Sequence, residues 1–309
     1  MNKKIIFELK SLYRDNMRIT GFEFGNGEKS ESVCIVGAMR GNEIQQVYIC
    51  SQLVRRLKEL ESGGYIASGK SIMVIPSVNP SSMNIGKRFW PTDNTDINRM
   101  FPGYDKGETT QRIAAGVFSN ISGYKYGIQF ASFYMPGRFV PHVKMMKTGY
   151  ESVELAKMFG LPYVVLRQPR PYDTTTLNYN WQLWECNAFS LYTNCTERID
   201  DNSCEFAIQG ILNFLSKSGI ITEKPNHEGY ISSVISDNEM VSVKSHYAGI
   251  FRRVAEPDTA VHKGDLMAKI IDPYEGDVID EIIAPMNGRV FFVQDNPLVY
   301  SGTPLFKII

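Results

Sequence analysis

The octapeptide Asp96-Ile97-Asn98-Arg99-Met100-Phe101-Pro102-Gly103 anchors the reading of this chain. It closes on a turn, because proline fixes its own φ and glycine admits conformations closed to other residues. Upstream lie a strand, a helix and a second strand. The apolar run at 71–78 (SIMVIPSV) suits a strand buried on both faces, as does 32–39 (SVCIVGAM). Between them, 43–60 carries Ile44, Val47, Tyr48, Cys50, Leu53, Val54 and Leu57 at helical spacing, ended by Gly63-Gly64. Downstream the alternation continues, with strands predicted at 126–133 and 163–166 and helices at 151–159 and 177–186. Asn202-Ser203-Cys204-Glu205 reads as a capping box. It opens a helix with Phe206, Ile208, Ile211, Leu212 and Leu215 on its apolar side and Gly219 as its stop. Strands alternating with helices make residues 1–222 an α/β sheet domain.

The texture changes at Glu228. Residues 228–309 are dense in β-branched residues and in turns such as Lys263-Gly264-Asp265, Asp272-Pro273 and Pro285-Met286-Asn287-Gly288. Short strands at close spacing predict a small all-β module. Its phrases VHKGDLMAKI and IIAPMNGRVFFV are similar to the barrel-sandwich fold of biotinyl and lipoyl carriers, which present a lysine in a Met-Lys-Met turn. The turn at 285–288 has no lysine to modify, so a structural appendage is expected rather than a carrier or docking module.

Thirty-three basic residues balance thirty-three acidic ones without a long block of either sign, so neither nucleic acid nor a membrane is expected as a partner. The N-terminal MNKKIIFELK loses its apolar run at Glu8 and lacks the core of a signal peptide. No later stretch approaches the ~18 apolar residues of a spanning helix. Five cysteines, odd in number and without a CxxC pair, read as free thiols of a reduced, cytoplasmic protein.

Four stretches, in order, carry a resemblance to a known family. They are Gly37-Ala38-Met39-Arg40-Gly41-Asn42-Glu43 at a strand-to-helix junction; Pro76-Ser77-Val78-Asn79-Pro80 followed by Arg88; the octapeptide at 96–103; and the β-rich C-terminal module. On these the chain is identified as a member of the succinylglutamate desuccinylase/aspartoacylase branch of the zinc carboxypeptidase superfamily. That family writes His-Gly-x-Glu at the first stretch and DxNRxFPG at the third. The resemblance implies an α/β fold, a zinc-carboxypeptidase-like mixed sheet of eight strands flanked by helices, followed by the barrel-sandwich-like module. It also implies amide hydrolysis by a zinc ion on two His and one Glu, with a late Glu as general base. Arg88, Asn98 and Arg99 match positions that grip a carboxylate or a developing oxyanion, work that suits a planar guanidinium. Scaffolding of the turn at 102–103 is their alternative reading.

Against that pattern the ligand positions are substituted. They fall on Arg40, Glu43 and Ala131, of which only Glu43 could ligate, since a guanidinium has no lone pair. Gln129 stands where the supporting Asp belongs, and the base position falls on Tyr192, or on Asn194 with a shift. No histidine precedes His142, and His227, His246 and His262 all follow in the C-terminal third, so no change of register restores two His ligands. No zinc cofactor is expected. Arg40 either pairs with Glu43 in the site, keeping a positive field for an anion, or points to solvent.

Other candidates carry two readings each. His142 is a proton carrier or a packed residue beside Pro141; Cys195 is a nucleophile or a buried thiol; Glu197 is a replacement base or a loop charge. Tyr172, Tyr179, Trp181 and Trp184 line a cleft or belong to the core. Arg167 and Arg170, among Pro162, Pro169 and Pro171, suggest a loop reaching the pocket mouth. Three functions stay open. The first is a pseudoenzyme-like binder of a small carboxylate-bearing amino-acid derivative or peptide. The second is a diverged, zinc-independent amide hydrolase or acyl transferase using Glu43, His142, Tyr192 or Cys195. The third is a structural protein, a homo-oligomer assembled through the C-terminal module. Loss of both His ligands and the base, beside an intact octapeptide, favours the first.

Overall fold

The computed structural model describes residues 1–133, 135–224 and 227–309. They form two compact units, Met1–Ser132 with Pro141–Val234, and Phe133–Val140 with Ile235–Ile309. The chain thus leaves the first unit at 133 and returns at 141, an excursion that a single boundary near 222–228 does not contain.

In chain order the first unit opens with a hairpin, β1 (Asn2–Leu9) and β2 (Met17–Gly25). It continues with β3 (Val33–Ala38), α1 (Ile44–Ser62), β4 (Ser71–Ser77), the single turn α2 (Pro80–Met83), α3 (Thr109–Ile121) and β5 (Tyr126–Ala131). The short β6 (Gly137–Phe139) belongs to the second unit. Then come β7 (His142–Met146), α4 (Val153–Lys157), β8 (Tyr163–Arg167), α5 (Leu177–Leu183), β9 (Asn187–Tyr192), α6 (Asp201–Lys217) and β10 (Ser233–Ser236), of which Ile235 and Ser236 already belong to the second unit. The sheet runs β1-β2-β4-β3-β5-β9-β7-β8-β10. It has nine strands rather than eight, and β10 lies at one edge. It is mixed, with β3, β4, β5 and β9 parallel and β7 antiparallel to β9.

Every residue of β3 is buried because helices cover both faces of the sheet. Val33 and Ile35 pack into a core shared with α1 and α6, whereas Cys34 and Val36 pack into one shared with α3 and α5. The hairpin β1–β2, α3 and β7 are elements that the sequence reading did not anticipate. At α6 the cap is Asp200, not Asn202: its side chain accepts from the Ser203 N–H at 2.8 Å. Gly219, at φ +74°, ends that helix.

The second unit adds β11 (Val241–Lys244), β12 (Gly249–Arg253), β13 (Ala260–Val261), β14 (Leu266–Ile271), β15 (Val278–Ile283), β16 (Gly288–Gln294), β17 (Leu298–Val299) and β18 (Pro304–Ile308). One antiparallel sheet runs β11-β18-β16-β13 and the other β15-β14-β12-β17. Both close on a core that includes Phe251, Met267, Ile270, Val290, Leu305 and Phe306. The excursion at 133–140 has a physical reason in this unit. Strand β6 pairs with β16, and Phe139 stacks on Phe133 at 4.1 Å and lies 4.6 Å from Phe292. At the 285–288 turn the Asn287 side-chain oxygen accepts from Lys263 N at 2.8 Å.

Among the described residues no helix is long and apolar enough to cross a membrane. The five cysteines are buried and free.

Candidate functional site

The C-terminal ends of β3 and β5 and the octapeptide converge on Arg40. After β3 the chain turns sharply into α1, and Gly41 makes that turn fit. A Cβ there would sit 2.2 Å from the Lys87 carbonyl oxygen and 2.4 Å from the Ser82 carbonyl carbon, so only glycine lets the two backbones approach. Gly41 N donates to the Arg88 carbonyl at 3.0 Å.

Glu43 occupies the N-cap position of α1 and turns its carboxylate back over the turn. Its Oε2 accepts from Met39 N at 2.8 Å and Arg40 N at 3.1 Å. Its Oε1 accepts from Arg40 Nη1 at 2.9 Å and from the Ser132 hydroxyl. The other edge of the Arg40 guanidinium meets Asp96: Nε and Nη2 donate to Oδ2 at 3.2 and 2.7 Å. Nη1 also donates to Ser132 Oγ at 3.0 Å. The second Asp96 oxygen accepts from Asn98 N at 3.1 Å, capping the 3₁₀ turn Ile97–Arg99.

Arg40 is 7% exposed and Glu43 1%. Charges so desolvated are tolerable only where partners answer them. Burial pulls the Arg40 pKa down, but the Glu43 and Asp96 charges outweigh it and the net shift is upward, so the guanidinium stays charged. At neighbouring Arg88 the balance runs the other way: burial and then the like charge of Arg40 lower its pKa. Arg88 lies over the Phe89 ring at 5.5 Å and 3.9 Å from Glu197, which also accepts from Asn42 Nδ2 at 2.6 Å.

The rest of the octapeptide is tied to the rim. Asn98 Oδ1 accepts from Gln129 Nε2 at 3.1 Å and Leu177 N at 3.3 Å. Arg99 donates to the Tyr172 carbonyl, lies over its ring at 5.4 Å and faces Asp173 at 3.7 Å. Arg167 and Arg170 donate to the Tyr172 hydroxyl at 2.7 and 2.9 Å, and Arg167 pairs with Asp173 at 3.1 Å. Gly103, at φ +96°, approaches Ala115 so closely that a Cβ would be 2.1 Å from its nitrogen.

Ala131 ends β5 in register with Tyr192, which is in register with His142. The His142 and Tyr192 rings stack 4.6 Å apart, only 6° from parallel. Lys144, buried on the same strand as His142, reaches over the Tyr192 ring at 5.5 Å. Cys195 is buried, its Sγ 3.5 Å from Gln45 Oε1 and 3.4 Å from the Arg198 carbonyl. The aromatic quartet divides. Trp181 is a core side chain donating to the Ile121 carbonyl at 3.1 Å, Tyr179 is half-buried, and Tyr172 and Trp184 are exposed.

Asp96, Ser132, Lys144 and Asp173 were not singled out by sequence reasoning. Asp96 carried a signal, since a buried Arg40 facing Glu43 leaves donors for a second carboxylate and Asp96 stands inside the octapeptide. Ser132 carried none beyond following the Ala131 position.

A family model for the succinylglutamate desuccinylase/aspartoacylase catalytic domain matches residues 29–217. No curated protein matches the chain. Among solved structures, a succinylglutamate desuccinylase from Silicibacter sp. TM1040 is 18% identical with a TM-score of 0.81, covering 99% of this chain and 94% of its own. A succinylglutamate desuccinylase/aspartoacylase from Rhodobacter sphaeroides is 19% identical with a TM-score of 0.80, covering 99% and 94%. The product-bound ectoine utilization protein EutE (DoeB) from Ruegeria pomeroyi is 20% identical with a TM-score of 0.78, covering 95% and 89%. At such identities these likenesses carry the fold. The family model spans most of the first unit, and on that match the chain belongs to the succinylglutamate desuccinylase/aspartoacylase family.

Proposed function

We propose that this member of a hydrolase family works without zinc and binds a small carboxylate-bearing amino-acid derivative or peptide. The observation that carries the reading is the buried Arg40 guanidinium lodged among Glu43, Asp96 and Ser132. A zinc ion needs lone pairs. Arg40 offers none and Ala131 has no donor atom. The roughly four acceptor positions of a carboxylate are all engaged at Glu43, by Met39 N, Arg40 N, Arg40 Nη1 and Ser132 Oγ. Among the described residues no group of three or more His, Cys, Asp or Glu could hold a metal ion. The residues present therefore do not fit the family's zinc.

Arg88 is the residue assigned to the ligand's carboxylate. It is a partly desolvated cation beside a like charge, and an anion would relieve both penalties. Asn98 and Arg99 hold the rim through Gln129, Leu177, Tyr172 and Asp173. The test is thermal shift with N-acetyl-aspartate and N-succinyl-glutamate in the presence of a chelator, on the natural chain and on Arg88→Ala. Stabilisation of the natural chain that disappears in the variant is expected. Near-stoichiometric zinc by elemental analysis of the purified protein would overturn the zinc-free reading.

A further inference from the structure

We infer that Ser132 is the nucleophile of a metal-independent acyl-transfer site, with Glu43 as its base; the inference rests on the zinc-free reading of this site. Ser132 follows the last residue of β5 and is half-buried. Its hydroxyl donates a hydrogen bond to Glu43 Oε1, and its oxygen accepts one from Arg40 Nη1 at 3.0 Å. A nucleophile in contact with a base that third groups hold in place is the arrangement on which hydroxyl activation depends. Here the Met39 and Arg40 N–H groups fix the base at 2.8 and 3.1 Å.

One guanidinium, Arg40, faces the two carboxylates of Glu43 and Asp96, and the charge of Arg88 acts on the same three groups. The same Nη1 touches both Glu43 Oε1 and Ser132 Oγ. As the proton passes from Oγ to Oε1, the bond that Nη1 already donates to Oγ strengthens against the developing alkoxide. The donor is in place before the reaction, in surroundings where such interactions are strong.

The step balances without a metal or a redox partner. Ser132 Oγ attacks the carbonyl carbon of a small acyl ester or amide held through its carboxylate, and its proton goes to Glu43. The bond from that carbon to the leaving oxygen or nitrogen breaks, and the leaving group takes the proton back from Glu43. The acyl group stays on Oγ as an ester until water, giving a proton to the same carboxylate, attacks the acyl carbon; the C–Oγ bond breaks, Oγ takes that proton back from Glu43, and the free acid leaves.

A fluorophosphonate probe tests this on the natural chain. Oγ attack on phosphorus would expel fluoride and leave one phosphonyl group, read as a single mass increase that peptide mapping places on Ser132, unchanged by chelator. Ser132→Ala is expected to give no adduct, and Glu43→Gln to label ~10²–10⁴ slower. Where Glu43→Gln does not fold, Glu43→Asp supplies the comparison, because it keeps the charge but withdraws it from Oγ. Absence of an adduct on the natural chain, or an adduct undiminished in Ser132→Ala, overturns the assignment. The probe carries no carboxylate, so that failure leaves Arg88-dependent binding standing, and loss of binding leaves the labelling result standing.

Discussion

Replacing Arg40 by methionine, which keeps much of the volume and removes the charge, tests whether the guanidinium holds the site together. Glu43 would keep three of its four donors and lose the charged one, while Asp96 would lose both of its bonds from Arg40. Breaking a buried pair from one side costs about 3–5 kcal/mol. The Asp96 side chain is 16% exposed, so water recovers part of its share and the lower end, about 3 kcal/mol, is expected. At roughly 2–4 °C per kcal/mol for a unit of this size, the Tm falls by about 6–12 °C. The assay is thermal unfolding followed by circular dichroism. A Tm within a degree or so of the natural chain would refute the reasoning.

Gly41→Ala puts a methyl group 2.2 Å from the Lys87 carbonyl oxygen and should lower stability by about 1–3 kcal/mol in denaturant titration. Gly127→Ala drives a Cβ to 2.6 Å from Trp181 Cε3 and should give a loss of similar size, accompanied by a change in tryptophan fluorescence. Phe139→Ala removes the middle ring between Phe133 and Phe292 and should cost about 3–5 kcal/mol in the second unit, read by hydrogen exchange on β16. Arg88→Ala should abolish the carboxylate-induced shift in Tm, because the charge assigned to the ligand's carboxylate is removed.

The elements that were legible are those whose surroundings are uniform. Strand β3 is apolar at every position because helices lie on both sides, and α1 shows one periodic face against the core. The hairpin β1–β2 escaped because β1 is exposed at most positions and its apolar residues Ile5, Ile6, Phe7 and Leu9 do not alternate with polar ones. Helix α3 is capped by Glu108 and Gln111, a pair outside the usual Ser/Thr/Asp/Asn start signal. At α6, Asp200 and Asn202 stand two residues apart before the same apolar face, and only the backbone geometry decides between them. The spacing of Arg40 and Glu43 showed that they could pair. Asp96 and Ser132 lie 56 and 92 residues from Arg40, and their convergence depends on neighbouring strand ends that no local pattern encodes.

The register of Phe139 opposite Phe292 has a consequence during synthesis. At ~5–20 residues per second, the ~150 residues separating β6 from β16 take roughly 8–30 s to emerge. Throughout that interval the nascent chain carries Phe133 and Phe139 without the strand that receives them. A stop codon anywhere before residue 288 makes the wait permanent, so nonsense variants that keep the whole first unit should still be ready substrates for chaperones and proteases.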